Sequence, residues 1–207
     1  ERNGNMDIYL YDFQTQTERQ LTTHPAIQAR PAISGDHIVW EDHRNGNADI
    51  YLYDLATNTE RSVTTHPASQ TEPAIDGNYI VWADNRKDNA GIYLYDLTTN
   101  FERRITTAAG SPAISGNRIV WWDTRVGPKG AIYLYDLTTN TERQLTNQRL
   151  NAASPSLPSI SGDKIVWFDS FNSGTDSDIY LYDLGTDTER SIATGPEVQK
   201  RPVISGN

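Results

Sequence analysis

One five-residue string, Ile-Tyr-Leu-Tyr-Asp, occurs five times in 207 residues, starting at Ile8, Ile50, Ile92, Ile132 and Ile179. The intervals are 42, 42, 40 and 47 residues. Three further strings keep the same beat. Pro-x-Ile-x-Gly starts at Pro31, Pro73, Pro112, Pro158 and Pro202, and Ile-Val-Trp-x-Asp at Ile38, Ile80, Ile119 and Ile165. Glu-Arg recurs at Glu18, Glu60, Glu102, Glu142 and Glu189. Self-similarity at such a period means stacked copies of one supersecondary unit. Nearly every residue falls in the pattern, so residues 1–207 are expected to form a single domain.

Each unit holds four short β-prone runs. In the first complete unit they are Pro31–Ser34, His37–Asp42, Asp49–Leu55 and Thr59–Thr64. Ser34-Gly35-Asp36, Asn45-Gly46-Asn47 and Ala56-Thr57-Asn58 separate them, and such residues between β-rich runs mark hairpins. No 3.6-residue periodicity is present. Four strands in 40–45 residues is the pattern of a propeller blade. Alternation places Ile50 and Leu52 on one face and Tyr51 and Tyr53 on the other, which suits a blade packed on both faces. Trp40, Trp82, Trp121 and Trp167 read as core fillers.

These residues resemble the TolB-like β-propeller repeat, which shares the plan of the WD40 blade. The most specific parts are the Asp-Ile-Tyr strand, the Arg-containing Asn-Gly turn before it and the terminal (Leu/Ile)-Thr. The Ser-Pro-Asp-Gly turn usual in that family is shortened to Ser34-Gly35-Asp36 and its counterparts. The fold expected is all-β: a propeller of five blade positions with four-stranded antiparallel blades. Complete units fall at about 30–71, 72–110, 111–156 and 157–200. A composite blade would join residues 1–29 with 201–207, lacking one strand, as though the chain were cut from a longer array.

Composition narrows the function. Eighteen basic against twenty-seven acidic residues give a net charge of −9, which disfavours phosphate backbones, so no nucleic acid is expected as a partner. Mean hydropathy is −0.64. No apolar run nears the roughly 18 residues of a membrane span, so no membrane insertion is expected. The opening ERNGNMDIYLYD lacks the basic start and apolar stretch of a secretory signal. Absence of cysteine removes thiolate catalysis and thiolate metal sites. No metal or other cofactor is expected.

A residue repeated in every blade serves what every blade needs. Asp12, Asp54, Asp96, Asp136 and Asp183 are therefore read as turn caps accepting backbone amides. Asp42, Asp84, Asp123 and Asp169 end the second strand. Arg44, Arg86 and Arg125 lie two residues later, either bracing those acids or forming an anion-binding ring. The Glu-Arg pairs are read as surface charges on the outermost strand. Repeat-breaking acids, among them Glu41, Glu72 and Asp76, assemble into no evident catalytic pair of the kind glycosidases need. His24, His37, His43 and His66 do not suggest a metal site, and 169–178 fits a calcium loop only weakly.

All length variation falls in the loops after the second and fourth strands, which points to one loop face as the binding surface. There the residue after Ile-Val-Trp changes from Glu41 and Ala83 to Trp122 and Phe168, and Phe171 replaces the arginine of the other units. The candidate ligand-binding residues are therefore Trp122, Phe168, Phe171, Arg44, Arg86 and Arg125, with no catalytic residue. The function expected is a non-catalytic scaffold for a protein or glycan partner, extracellular, at the cell surface or in the periplasm. The alternative is a polysaccharide-active hydrolase or lyase with its site at the propeller axis.

Overall fold

The structure is a computed structural model and describes residues 4–107, 110–127, 130–146, 152–171, 177–195 and 197–206. It is built from antiparallel strands, with no helix among the described residues. The strands are β1 (Tyr9–Asp12) and β2 (Thr17–Gln20), then β3 (Gln28–Ser34), β4 (His37–Asp42), β5 (Asp49–Asp54) and β6 (Thr59–Ser62). Next come β7 (Gln70–Asp76), β8 (Tyr79–Asp84), β9 (Gly91–Asp96) and β10 (Phe101–Thr106), then β11 (Ala113–Ser115), β12 (Arg118–Asp123), β13 (Ala131–Asp136) and β14 (Thr141–Gln144). The last are β15 (Ala152–Ser161), β16 (Lys164–Phe171), β17 (Ser177–Asp183) and β18 (Thr188–Ala193). Each consecutive group of four is one meandering sheet, and β1 and β2 make a two-stranded sheet. These are four complete blades and part of a fifth.

Two compact units divide the chain, Glu1–Arg103 and Arg104–Asn207. In the first, Val39, Ile50 and Leu52 of one blade pack on Ile75, Ile80, Trp82 and Tyr93 of the next. In the second, Val120, Ile132 and Leu134 meet Ile160, Ile165, Trp167 and Tyr182 in the same way. Within each unit one complete blade thus offers an aliphatic face to the next, which presents a Trp-Tyr face in return. The four tryptophans of the second strands are at most 1 % exposed, the largest apolar payload in each repeat.

In three of the four complete blades the opening strand is longer than its Pro-x-Ile motif suggests. β3 starts at Gln28 and β7 at Gln70, because these residues donate their amides to Met6 O and Ala48 O of the preceding blade. Pro31, Pro73 and Pro158 lie inside bulges, where a missing N–H interrupts nothing. The residue before each proline, Arg30, Glu72 or Leu157, is left-handed, with φ of 53°, 57° and 49°. That conformation costs about 1–2 kcal/mol for an L-residue.

The turn between first and second strands is tied to the next blade. Ser34 Oγ accepts from Gly77 N at 3.0 Å, and Ser115 Oγ from Gly162 N at 3.1 Å. Gly206 N donates to Ser161 Oγ at 3.1 Å in the same manner. The terminal segment Pro202–Gly206 therefore takes the place of a fifth first strand beside β15, although it belongs to no sheet.

Candidate functional site

In three of the four complete blades the second strand ends in a repeated brace. Trp40 and Asp42 share a face, so the Trp40 indole donates to Asp42 Oδ2 at 3.0 Å. Arg44 then folds back, giving Asp42 two side-chain hydrogen bonds at 2.9 and 2.6 Å, and its guanidinium lies 4.2 Å from the Tyr51 ring centre. Glu60 caps the same guanidinium at 2.8 Å. Asp84, Arg86, Tyr93 and Glu102 repeat the arrangement, as do Asp123, Arg125, Tyr133 and Glu142. Burial works to raise the pKa of Asp42 and Asp84. Hydrogen bonds from the arginine, with a further one from the indole, outweigh it and hold both below the usual carboxylate range.

Arg44, Arg86 and Arg125 are thus each held between two acids and over a tyrosine, with most of their donor capacity spent inside the blade. The turn aspartates behave as expected: Asp54 Oδ1 accepts from the amides of Ala56 and Thr57, and Asp136 Oδ1 from Thr138 and Thr139.

The Glu-Arg pairs do more than charge an outer rim. Glu60, Glu102 and Glu142 cap the brace, and Arg19, Arg61 and Arg143 reach the following blade. Arg19 lies 5.6 Å from the Tyr53 ring centre and donates to Asn58 at 3.3 Å. Arg143 lies over Tyr182 and pairs with Asp187 at 2.9 Å. A long arginine stem on a fourth strand can span the inter-blade gap, which sequence spacing alone does not reveal.

Of the aromatic candidates, Trp122 and Phe168 occupy one register position in adjacent blades of the second unit, opposite Ile132 and Ile179. Both are half-buried. Trp122 packs on the core cluster shared by its blade and the next. Its indole lies so close over Gly130, φ 67°, that a Cβ there would meet Nε1 at 2.2 Å. The buried Nε1 has no hydrogen-bond partner. The side chain of Phe171 lies outside the described residues, as do 172–176 of the loop weighed for calcium. His24 and His66 serve the backbone: each Nδ1 accepts an amide two residues on, at 3.1 and 3.0 Å. Among the described residues no three His, Asp or Glu side chains gather as a metal site.

One grouping was not foreseen. At the register position that Trp122 holds in the second unit, the first unit has Glu41, 5 % exposed. Its Oε1 accepts from Glu72 N at 2.6 Å and lies 3.5 Å from Arg30 Nη1, which pairs with Glu72 at 2.8 Å. Two repeat-breaking acids therefore meet at one guanidinium. Arg30 and Glu72 both sit at bulges, so their side chains leave the regular alternation, and a strand pattern read at period two misses the encounter.

No known family model matches the chain, and no curated protein is similar to it in sequence. Solved structures are similar in fold. TolB from Acinetobacter baumannii aligns over 90% of this chain at a TM-score of 0.68 and 22% identity, and the chain spans 48% of that protein. A putative TolB from Agrobacterium tumefaciens aligns over 89% of this chain and 87% of its own length, with a TM-score of 0.62 and 18% identity. An oligogalacturonate lyase in complex with manganese aligns over 92% of this chain and 59% of its own length, at 0.68 and 17%. A puromycin-hydrolyzing peptidase of Mycobacterium tuberculosis also aligns, over 86% of this chain and 30% of its own length, at 0.66 and 15%. Non-enzymatic and enzymatic names both occur in this set, and identities this low speak to fold alone. On that ground the chain has a β-propeller fold similar to that of TolB.

Proposed function

We propose that the chain is a non-catalytic binding propeller at the cell surface, outside the cell or in the periplasm. It engages a protein or glycan through the face that includes Trp122 and Phe168. The observation that carries this reading is how symmetry is broken. Three of the repeated second-strand acids, Asp42, Asp84 and Asp123, are bound to arginines of their own blades, and Glu41 and Glu72 are bound to Arg30. In the second unit the breaks are instead large aromatic side chains that keep part of their surface in solvent. Such residues supply contact area at low entropic cost and dominate binding hot spots. Arg44, Arg86 and Arg125 support the loops rather than touch the ligand.

The alternative, a hydrolase or lyase, has one observation in its favour: two repeat-breaking acids, Glu41 and Glu72, lie near one another at Arg30, and glycoside chemistry uses a pair of carboxyl groups. The two readings part in calorimetric titration against neutral and acidic polysaccharides and against partner proteins. The binding reading expects a saturable ligand whose affinity falls at least tenfold on Trp122→Ala, with unchanged circular dichroism. Ligand binding untouched by Trp122→Ala and abolished by Glu41→Gln would favour the enzyme.

A further inference from the structure

A cleft recurs at equivalent places in the two units, at the end of the strands remote from Trp122. In the first unit it encloses about 250 Å³ and is lined by Leu52, Asp54, Thr59 and Arg61 of one blade and Leu97 of the next. In the second it encloses about 160 Å³, lined by the repeat counterparts Leu134, Asp136, Thr141, Arg143 and Leu184. The first lining adds His37, Asn78 and Thr98, and the second adds Arg118 and Thr139.

The chemistry of the lining is fixed before any ligand arrives. Two backbone amides pin one oxygen of Asp54, and two more pin one oxygen of Asp136. Arg61 is steadied 5.5 Å from the Tyr95 ring centre, and Arg143 6.0 Å from that of Tyr182. An oriented carboxylate, an oriented guanidinium and a threonine hydroxyl therefore surround a leucine floor. In the first cleft Asp54 offsets Arg61; in the second Arg118 and Arg143 are each paired with a further aspartate, Asp163 and Asp187, so neither cleft presents an uncompensated cation. Each does suit a small polyhydroxylated ring: vicinal hydroxyls donate to the carboxylate and accept from the guanidinium, and a C–H face rests on the leucines.

We propose that each cleft is a subsite for one neutral hexopyranose unit of a glycan. The proposal rests on the glycan half of the binding reading but uses a different part of the blade. Each volume lies below the roughly 300–1,000 Å³ of ordinary small-molecule pockets, so a single sugar binds weakly.

The test is a ¹⁵N-correlation titration of the intact chain with glucose, galactose, mannose and N-acetylglucosamine at millimolar concentration. One of these sugars is expected to shift the Nε–H signals of both Arg61 and Arg143 along saturable curves. The double variant Thr59→Val, Thr141→Val should weaken those curves at least threefold, while Trp122→Ala leaves them unchanged. No saturable shift at either arginine with any sugar overturns the proposal. So does the same response to sulfate, which would make the cleft an anion site. Shifts confined to the Trp122 indole also overturn it, yet leave the binding reading standing. Loss of the binding reading through Trp122→Ala, with the arginine shifts intact, would do the converse.

Discussion

At one register position the two units answer differently. In the first, the residue after Ile-Val-Trp is Glu41 or Ala83, and Glu41 draws Arg30 and Glu72 into a charged knot. In the second it is Trp122 or Phe168, and the bulge residue nearby in sequence order is Leu157, 37 % exposed. The brace beneath is the same in both, Asp42 with Arg44 and Asp123 with Arg125. A repeat scaffold thus separates two tasks: residues facing the blade interior are constrained in every copy, and the position just beyond the brace is free to diversify.

The largest effect should come from breaking what the units share. Asp84→Ala strips a buried carboxylate from Arg86 and from the Trp82 indole, and breaking such a pair costs about 3–5 kcal/mol, read as a lower midpoint in urea. Next comes a change that separates the units. Gly130→Ala drives a methyl group into the Trp122 indole at a left-handed residue, for about 2–4 kcal/mol, and should alter tryptophan fluorescence. Gly46→Ala, where φ is 91° but a Cβ meets nothing, should cost only about 1–2 kcal/mol.

Acid tests the shared brace as a whole. The carboxyls of Asp42 and Asp84 titrate lower in the fold than in the unfolded chain, where the value is near 3.9. Their stabilisation is therefore complete above about pH 4–5 and is lost as pH falls through the lowered values. Thermal scans should show a flat stability at neutral pH and a steep decline below about pH 4, shallower in Arg86→Met.

The smallest expected effect is a gain. Thr22, Thr64 and Thr146 each accept the amide that opens the third strand, at Ile8, Ile50 and Ile132. The fourth complete repeat has Ala193 at that position. Ala193→Thr should restore the clasp at Ile179 and add about 1 kcal/mol, seen as a raised melting temperature.

Repeat phase made the blades legible, because every buried position of the brace and the inter-blade core is sampled four or five times. Trp40 and its counterparts announce themselves as core, and Asp54 and its counterparts as turn caps, by recurring. What repetition cannot carry is contact between blades. Arg143 over Tyr182, and Arg30 between Glu41 and Glu72, join residues about one repeat apart, through a long side chain or a left-handed bulge. No periodicity records either. The Trp122 and Phe168 position was visible as a break in the pattern, but the glycine under the indole was not, since Gly130 reads as one more turn residue until its Cβ position is examined.

Under the proposed function this blade surface binds its ligand and does not turn it over. The most direct measurement incubates the intact protein with the polysaccharide that binds best, and follows chain cleavage by reducing-end release and by formation of unsaturated product. The account predicts saturable binding, lost on Trp122→Ala, with cleavage no faster than in buffer. Cleavage that requires the protein and disappears in Glu41→Gln would contradict it.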